Sequence, residues 1–140
     1  MGRVIRALLI SAVFAVSMGS AFVGEAGSAN CHVCSAEAAG AKFTVTFTSG
    51  QTRIYACPRC ALSTINLKEV ASAQATDFFS RRSINAEAAS YLVGSEVNAC
   101  CGTSWLVFSS RKAAEKFALG FGGKVLTYDE ALKLANPAAH

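Results

Sequence analysis

The sequence has few of the residues that carry catalysis in most enzymes. It contains two histidines, two prolines and one tryptophan among 140 residues. Both methionines, Met1 and Met18, precede residue 30, so the rest of the chain has no thioether side chain. The two histidines do not support a Ser-His-Asp set, and no pair of carboxylates stands in a known motif. We therefore predict that the protein is not an enzyme.

The chain is also poor in charge. Charged residues make up 16% of the sequence, and the formal net charge is +4. Apart from Arg81 and Arg82, the basic residues are scattered along the chain. Nucleic-acid-binding domains usually carry a basic stripe, often interleaved with aromatic residues. The sequence therefore predicts no nucleic-acid partner.

The N-terminus has the composition of an export signal. Arg3 and Arg6 precede an apolar run at residues 7–23, and small residues follow this run up to Ala29. This order is typical of a secretory signal peptide, so we predict residues 1–29 as a cleaved leader. The alternative is an uncleaved inner-membrane anchor at residues 7–23, which is about long enough to span a thin bilayer. Either way, we expect a periplasmic or exported protein.

Residues 30–140 are long enough for one domain with a modest core. Lys42–Ser49 alternates apolar and polar residues, which predicts a half-buried strand, and Thr52–Ala56 returns as the second arm of a hairpin. Pro58 suits the first position of a helix, which we predict over Pro58–Val70.

The second half of the chain predicts short elements of both types. Apolar runs predict strands at residues 75–79, 89–93, 104–108 and 124–126. Ser104–Phe108 is apolar on both faces, so we expect a central strand there. Helical patterns follow Ser110, over residues 111–119, and a capping box of Thr127 and Glu130, ending at Ala135. The fold class is α+β, with small helices covering an antiparallel sheet.

Six cysteines carry most of the functional information. They form two CxxC pairs and one adjacent pair: Cys31 and Cys34, Cys57 and Cys60, and Cys100 and Cys101. The two CxxC pairs are separated by 22 residues and enclose the predicted hairpin. This arrangement resembles a treble-clef zinc finger, in which a cysteine turn and a helix start present four thiolates to one ion. We therefore predict a metal site at the four CxxC cysteines.

Two other readings of the cysteines stay open. An exported protein with six cysteines is a candidate for structural disulfides, with 15 ways to pair them. A CxxC at a helix N-terminus, such as Cys57 and Cys60, can also be a redox-active dithiol. Cys100 and Cys101 would point to opposite faces of an extended segment, so at most one of them could join the site. Burial as a small apolar residue is the alternative for either one.

The order of features from Cys31 to the C-terminus resembles the NosL family, copper-binding accessory proteins of nitrous oxide reductase maturation. The resemblance rests on the opening CxxC, on Cys60 after the hairpin, and on the segments Ser90–Val97 and Leu106–Leu132. It implies an exported α+β domain that binds Cu(I) and passes it to a protein client. Zn is the alternative metal, in a structural treble-clef interaction domain.

The sequence departs from the family in its sulfur ligands. Ala36, Ala61 and Cys101 stand where family members usually have Met, and Cys57 replaces a residue without sulfur. The resemblance therefore implies an all-cysteine variant, with Cys101 as a further ligand beside the four CxxC cysteines. Thiolates hold Cu(I) more firmly than thioethers do. His32, inside the first CxxC, is an auxiliary ligand candidate and otherwise an exposed spectator.

Overall fold

The computed structural model describes residues 30–34, 36–37, 41–97, 99 and 102–138. The predicted leader, Cys100 and Cys101 lie outside these residues. The strands are β1 (Phe43–Phe47), β2 (Thr52–Tyr55), β3 (Val70–Thr76), β4 (Ser83–Asn85), β5 (Ser90–Val93), β6 (Trp105–Phe108) and β7 (Lys124–Leu126). The helices are α1 (Pro58–Leu62), α2 (Arg111–Phe121) and α3 (Tyr128–Ala135). None of the helices formed by the described residues is long and apolar enough to cross a membrane.

The predicted hairpin of β1 and β2 forms one side of a four-stranded antiparallel sheet, in the order β2-β1-β3-β4, with β2 at the edge. Alternation in β1 buries Phe43, Val45 and Phe47 on one face, as the sequence pattern predicts. The hairpin lies between the two CxxC pairs in the sequence.

Helix α1 is much shorter than the predicted helix over Pro58–Val70, so that prediction is wrong. Ser63 and Thr64 end it, because both hydroxyls donate hydrogen bonds to the Cys60 carbonyl, at 3.2 and 3.0 Å. Side chains that bond nearby backbone carbonyls compete with helix continuation. A 3-10 turn at Leu67–Glu69 follows, and the chain then enters β3.

Strands β3 and β4 also differ from the predicted pattern. The expected strand at residues 75–79 is shifted, because β3 begins at Val70 and ends at Thr76. Strand β4 lies within a polar stretch for which no strand was predicted. It pairs with the outer edge of β3, where polar side chains can remain in contact with water.

The second sheet is antiparallel and has three strands, in the order β6-β5-β7. Strand β6 is therefore an edge strand, and the expectation of a central strand at Ser104–Phe108 is wrong. All four β6 residues are nevertheless buried. Trp105 and Val107 join the larger apolar cluster against the first sheet, and Leu106 and Phe108 join a second cluster under α2. Because β6 is buried on both faces, all of its residues are apolar, although it lies at the edge of the sheet.

The last two helices begin where the sequence predicts. The Ser110 side chain accepts a hydrogen bond from the Ala113 N–H, and Thr127 and Glu130 form the predicted capping box. Gly122 ends α2, and Gly123 follows with a φ of 98°. The predicted α+β class is confirmed, with the antiparallel strands divided between two small sheets.

Candidate metal centre

Three cysteines from distant parts of the described chain converge at the edge of the larger apolar cluster. The Sγ atoms of Cys31, Cys34 and Cys60 all lie within 4.8 Å of one another. Cys31 and Cys34 come from the turn before β1, and Cys60 comes from α1. All three carry thiols rather than disulfides. Three soft thiols this close together form a donor set for a soft metal ion.

Backbone hydrogen bonds hold the turn that carries the first two cysteines. The Cys31 N–H donates to the Ala36 carbonyl at 2.8 Å, and the His32 N–H donates to the Ile54 carbonyl in β2 at 3.0 Å. Asn30 and Glu37 form a further antiparallel bridge across the turn. The turn is therefore fixed to the hairpin, which places its thiols next to α1.

Burial and local hydrogen bonds act in opposite directions on the thiol of Cys31, which is 3% exposed. Burial raises its pKa, but hydrogen bonding from the backbone at Ala56, Cys34 and Val33 lowers it more, as does the Cys34 side chain. The result is a pKa of about 7. A substantial fraction of Cys31 is therefore thiolate at neutral pH, which is the form that binds metals.

Cys57 lies beside Cys60 but has a different bonding state from the three thiols. Its side chain is fully buried, and its Sγ is 3.7 Å from the Sγ of Cys60. It is disulfide-bonded. Because Cys31, Cys34 and Cys60 carry thiols, the partner of Cys57 lies outside the described residues. The sequence predicts Cys57 as a ligand with the other three and does not reveal this disulfide; the ligand role of Cys57 stays a prediction.

The three-thiol group has one exposed member. Cys34 is exposed, whereas Cys31 and Cys60 are buried. A groove of about 390 Å³ reaches Cys34 and Cys60 and is also lined by Val33, Arg59, Ser63 and Ala135. Sequence reasoning missed this groove, because Ala135 comes from α3, far from the cysteines in sequence. A metal ion or an incoming ligand would reach the thiols through Cys34.

Among the described residues, the candidate ligand His32 is not part of the three-thiol group. The His32 ring lies edge-on to Tyr55, with ring centroids 6.0 Å apart, and is exposed. Cys101 lies outside the described residues, so its assignment as a ligand stays a prediction. The same holds for a metal-ligand role of each CxxC cysteine.

Comparison with protein families decides the relationship of this chain. The family model described as NosL matches residues 19–133, which is most of the sequence. The chain belongs to the NosL family. The match begins inside the segment predicted as a leader and continues to α3, so it includes both CxxC pairs and both sheets.

Two known proteins show similarity to this NosL-family chain. The HTH-type transcriptional repressor CutR of Bacillus subtilis is 34% identical over 80 residues. These residues are 55% of this chain and 42% of the repressor, so the match spans less than half of that relative. The crystal structure of the copper chaperone NosL from Shewanella denitrificans matches with a TM-score of 0.64 and 24% identity. The match covers 72% of this chain and 87% of that structure, which shows a shared fold.

Proposed function

We propose that this chain is a copper-chaperone-like protein that holds Cu(I) between Cys31, Cys34 and Cys60. The convergence of three Sγ atoms within 4.8 Å carries the proposal. Membership of the NosL family and a fold shared with a copper chaperone support it. Binding and delivery of the ion, rather than catalysis, is the activity that such a site supplies.

The donor set favours a soft monovalent ion. Thiolates select Cu(I) over hard cations such as Mg²⁺ or Ca²⁺, which prefer oxygen ligands. With no methionine after residue 18, the described site has sulfur from cysteine alone. We therefore expect it to hold copper more tightly than a site of mixed cysteine and methionine.

The difference in exposure among the three thiols suits transfer to a protein client. Cys31 and Cys60 are buried and can retain the ion, while Cys34 faces the groove. A thiolate of a client can reach the metal from the groove and replace Cys34 first. Export is part of the same proposal, with residues 1–29 as a cleaved leader or, as the alternative, residues 7–23 as an uncleaved membrane anchor.

Cu(I) titration under anaerobic conditions tests this function. The purified protein is titrated against a chromophoric Cu(I) chelator, and bound copper is measured per chain. We expect one Cu(I) per chain, and a loss of affinity of about tenfold or more in Cys60→Ser, because one of three thiolates is removed.

The matched control is Ser63→Ala, which lines the same groove but removes no sulfur. It should bind Cu(I) like the unmodified chain. Equal Cu(I) affinity in Cys60→Ser and the unmodified chain would show that the three-thiol group is not the copper site. Far-ultraviolet circular dichroism of each variant verifies that it is folded.

A further inference from the structure

A positively charged side chain lines the same groove as two of the thiols. Arg59 is the residue before Cys60 in α1, is exposed, and borders the groove together with Cys34 and Cys60. Of the other described residues that line the groove, Val33 and Ala135 are apolar and Ser63 is neutral. The guanidinium of Arg59 is therefore the charge that these lining residues bring to the groove.

The guanidinium has a close backbone neighbour but no acidic partner in the described part of the chain. A Cβ at Gly102 would lie 3.0 Å from Nη1 of Arg59, so the backbone at Gly102 limits the guanidinium on one side. The salt bridge formed by described residues joins Arg111 and Glu115 in α2. The charge of Arg59 is thus not neutralised by a described carboxylate and can attract an anion from solution.

A copper ion held by thiolates repels the ligand that must remove it. Three thiolates outweigh the charge of one Cu(I), so the loaded site is negative, and an incoming thiolate is negative as well. This repulsion is stronger near a protein surface than in bulk water, because the effective dielectric constant is lower. A guanidinium in the groove offsets the repulsion and favours anionic ligands over cationic ones.

We propose that the groove selects anionic thiols, in which a thiol and a carboxylate are a few bonds apart. Arg59 binds the carboxylate in its planar fork of N–H donors, and the thiolate reaches the metal beside Cys34. The groove volume of about 390 Å³ lies within the range of small-ligand sites, roughly 300–1,000 Å³. The inference rests on the proposed function for the identity of the metal, but the charge selection at Cys34 can be measured without metal.

The transfer step is a ligand exchange without a redox change. The incoming thiol loses its proton to water and donates a sulfur electron pair to Cu(I). The bond between Cu(I) and Cys34 breaks, and the Cys34 thiolate takes up a proton from water. Copper stays Cu(I) throughout. Arg59 acts by holding the carboxylate, so it is a positioning residue.

Alkylation of the metal-free full chain measures the charge selection at Cys34. Iodoacetate and iodoacetamide differ in charge, and each transfers its carbon to a cysteine thiolate with release of iodide. The ratio of the two rate constants cancels the thiolate fraction, because both reagents attack through the same thiolate. Mass spectrometry of the Cys34 peptide at early times gives both rates. We expect the ratio of iodoacetate to iodoacetamide to exceed that of a cysteine in an unstructured peptide by about three- to tenfold.

Three variants assign this ratio to Arg59. Arg59→Gln removes the charge and should lower the ratio by about threefold or more, whereas Arg59→Lys keeps the charge without the planar fork and should retain part of it. Arg82→Gln is the matched control, because Arg82 is exposed and is not among the described residues that line the groove. It should leave the ratio unchanged. An unchanged ratio in Arg59→Gln, or an equal fall in Arg82→Gln, would overturn the proposal.

The Cu(I)-loaded chain distinguishes two sources of the same ligand chemistry, a small thiol carboxylate and a client cysteine beside an acidic residue. Rates of Cu(I) extraction are compared for 3-mercaptopropionate and cysteamine, and for two short peptides with glutamate or lysine beside the cysteine. A preference for the acidic member that is lost in Arg59→Gln identifies the source, the small thiol in the first pair and the client in the second. If neither pair shows such a loss, the proposal is wrong.

The experiments also distinguish failure of this inference from failure of the proposed function. If the chain does not bind Cu(I), the copper function is wrong, and the alkylation ratio still tests whether Arg59 selects anions at Cys34. If Cu(I) binds and Arg59→Gln changes neither the alkylation ratio nor the extraction rates, the copper function stands and the selection of anionic thiols is wrong.

Discussion

Asp77 connects two parts of the fold through its buried carboxylate. One oxygen accepts hydrogen bonds from the N–H and the hydroxyl of Ser80, both at 2.7 Å, and the other accepts from the Ser109 N–H at 2.6 Å. The side chain is 3% exposed. Burial raises its pKa, but these hydrogen bonds outweigh the effect and lower the pKa below its ordinary value. Asp77 thus joins the turn after β3 to the segment that starts α2.

We predict that Asp77→Asn lowers the free energy of unfolding by about 1–3 kcal/mol at pH 7, because an amide nitrogen replaces one accepting oxygen. Folding lowers the pKa of Asp77, so its carboxylate stabilises the folded state at pH values above the ordinary pKa. This contribution is lost as the pH falls through the pKa of the folded state. Urea denaturation at several pH values measures this. The difference from the unmodified chain should shrink below about pH 4.

Glu96→Gln is the control, because this acidic side chain is exposed. Its unfolding free energy should stay within about 0.5 kcal/mol of the unmodified chain. A difference between Asp77→Asn and the unmodified chain that stays constant from pH 7 to pH 3 would contradict the assigned role of the carboxylate.

At the level of single residues, the sequence predicts which cysteines meet but not how each is bonded. CxxC spacing around a hairpin is enough to bring Cys31, Cys34 and Cys60 together. The disulfide of Cys57 does not follow from cysteine spacing, because six cysteines allow 15 pairings. The pKa of Cys31 likewise depends on backbone groups that only the folded turn brings to it.

At the level of elements, the accuracy of the prediction depends on whether the signal is local. The caps at Ser110 and Thr127 are formed by residues three positions apart, so the sequence alone reveals them. Strand β4 forms because β3 offers an unpaired edge, which no local pattern of its polar residues indicates. The prediction of a central position for β6 is wrong because its signal is not local either. An edge strand that is covered on both faces has the same continuous apolar sequence as a central strand.

Gly123 lies between α2 and β7, at a position with no room for a side chain. It has a φ of 98°, and a Cβ there would lie 3.0 Å from the Val93 carbonyl oxygen and 3.0 Å from the Ser95 nitrogen. We predict that Gly123→Ala lowers the free energy of unfolding by about 2 kcal/mol or more. Thermal or urea denaturation provides the measurement.

Gly120 is the matched comparison, because it lies within α2 and a Cβ there would have no neighbour within 4 Å. Gly120→Ala should raise the free energy of unfolding by about 0.5–1 kcal/mol, since alanine favours the helix. If Gly123→Ala raises the free energy of unfolding as Gly120→Ala does, the backbone geometry described for Gly123 is wrong.

At the level of the whole molecule, the three-thiol group brings together two segments that are distant in the sequence. Cys34 and Cys60 are 26 positions apart, and backbone hydrogen bonds of Cys31 and His32 hold the turn that carries Cys34. A bound ion joins this turn to α1. Because the unfolded chain does not hold the thiols together, binding should stabilise the folded state.

We predict that Cu(I) at about 100 times its dissociation constant raises the free energy of unfolding by about 2.7 kcal/mol. For a domain of this size, this corresponds to roughly 10 °C in melting temperature. Anaerobic calorimetry with and without Cu(I) measures the shift. Cys60→Ser should show a much smaller shift, and equal shifts in both proteins would indicate copper binding at another place.

The division of the apolar interior into two clusters has a consequence for local opening. One face of the second sheet packs with the cysteines and the first sheet, and its other face packs with α2. Amide hydrogens exchange with solvent through openings that often follow such units. A bound ion should therefore slow exchange in β1, β2 and α1 by a larger factor than in α2. Mass spectrometry of exchanged peptides would then show which parts of the fold the bound ion stabilises against local opening.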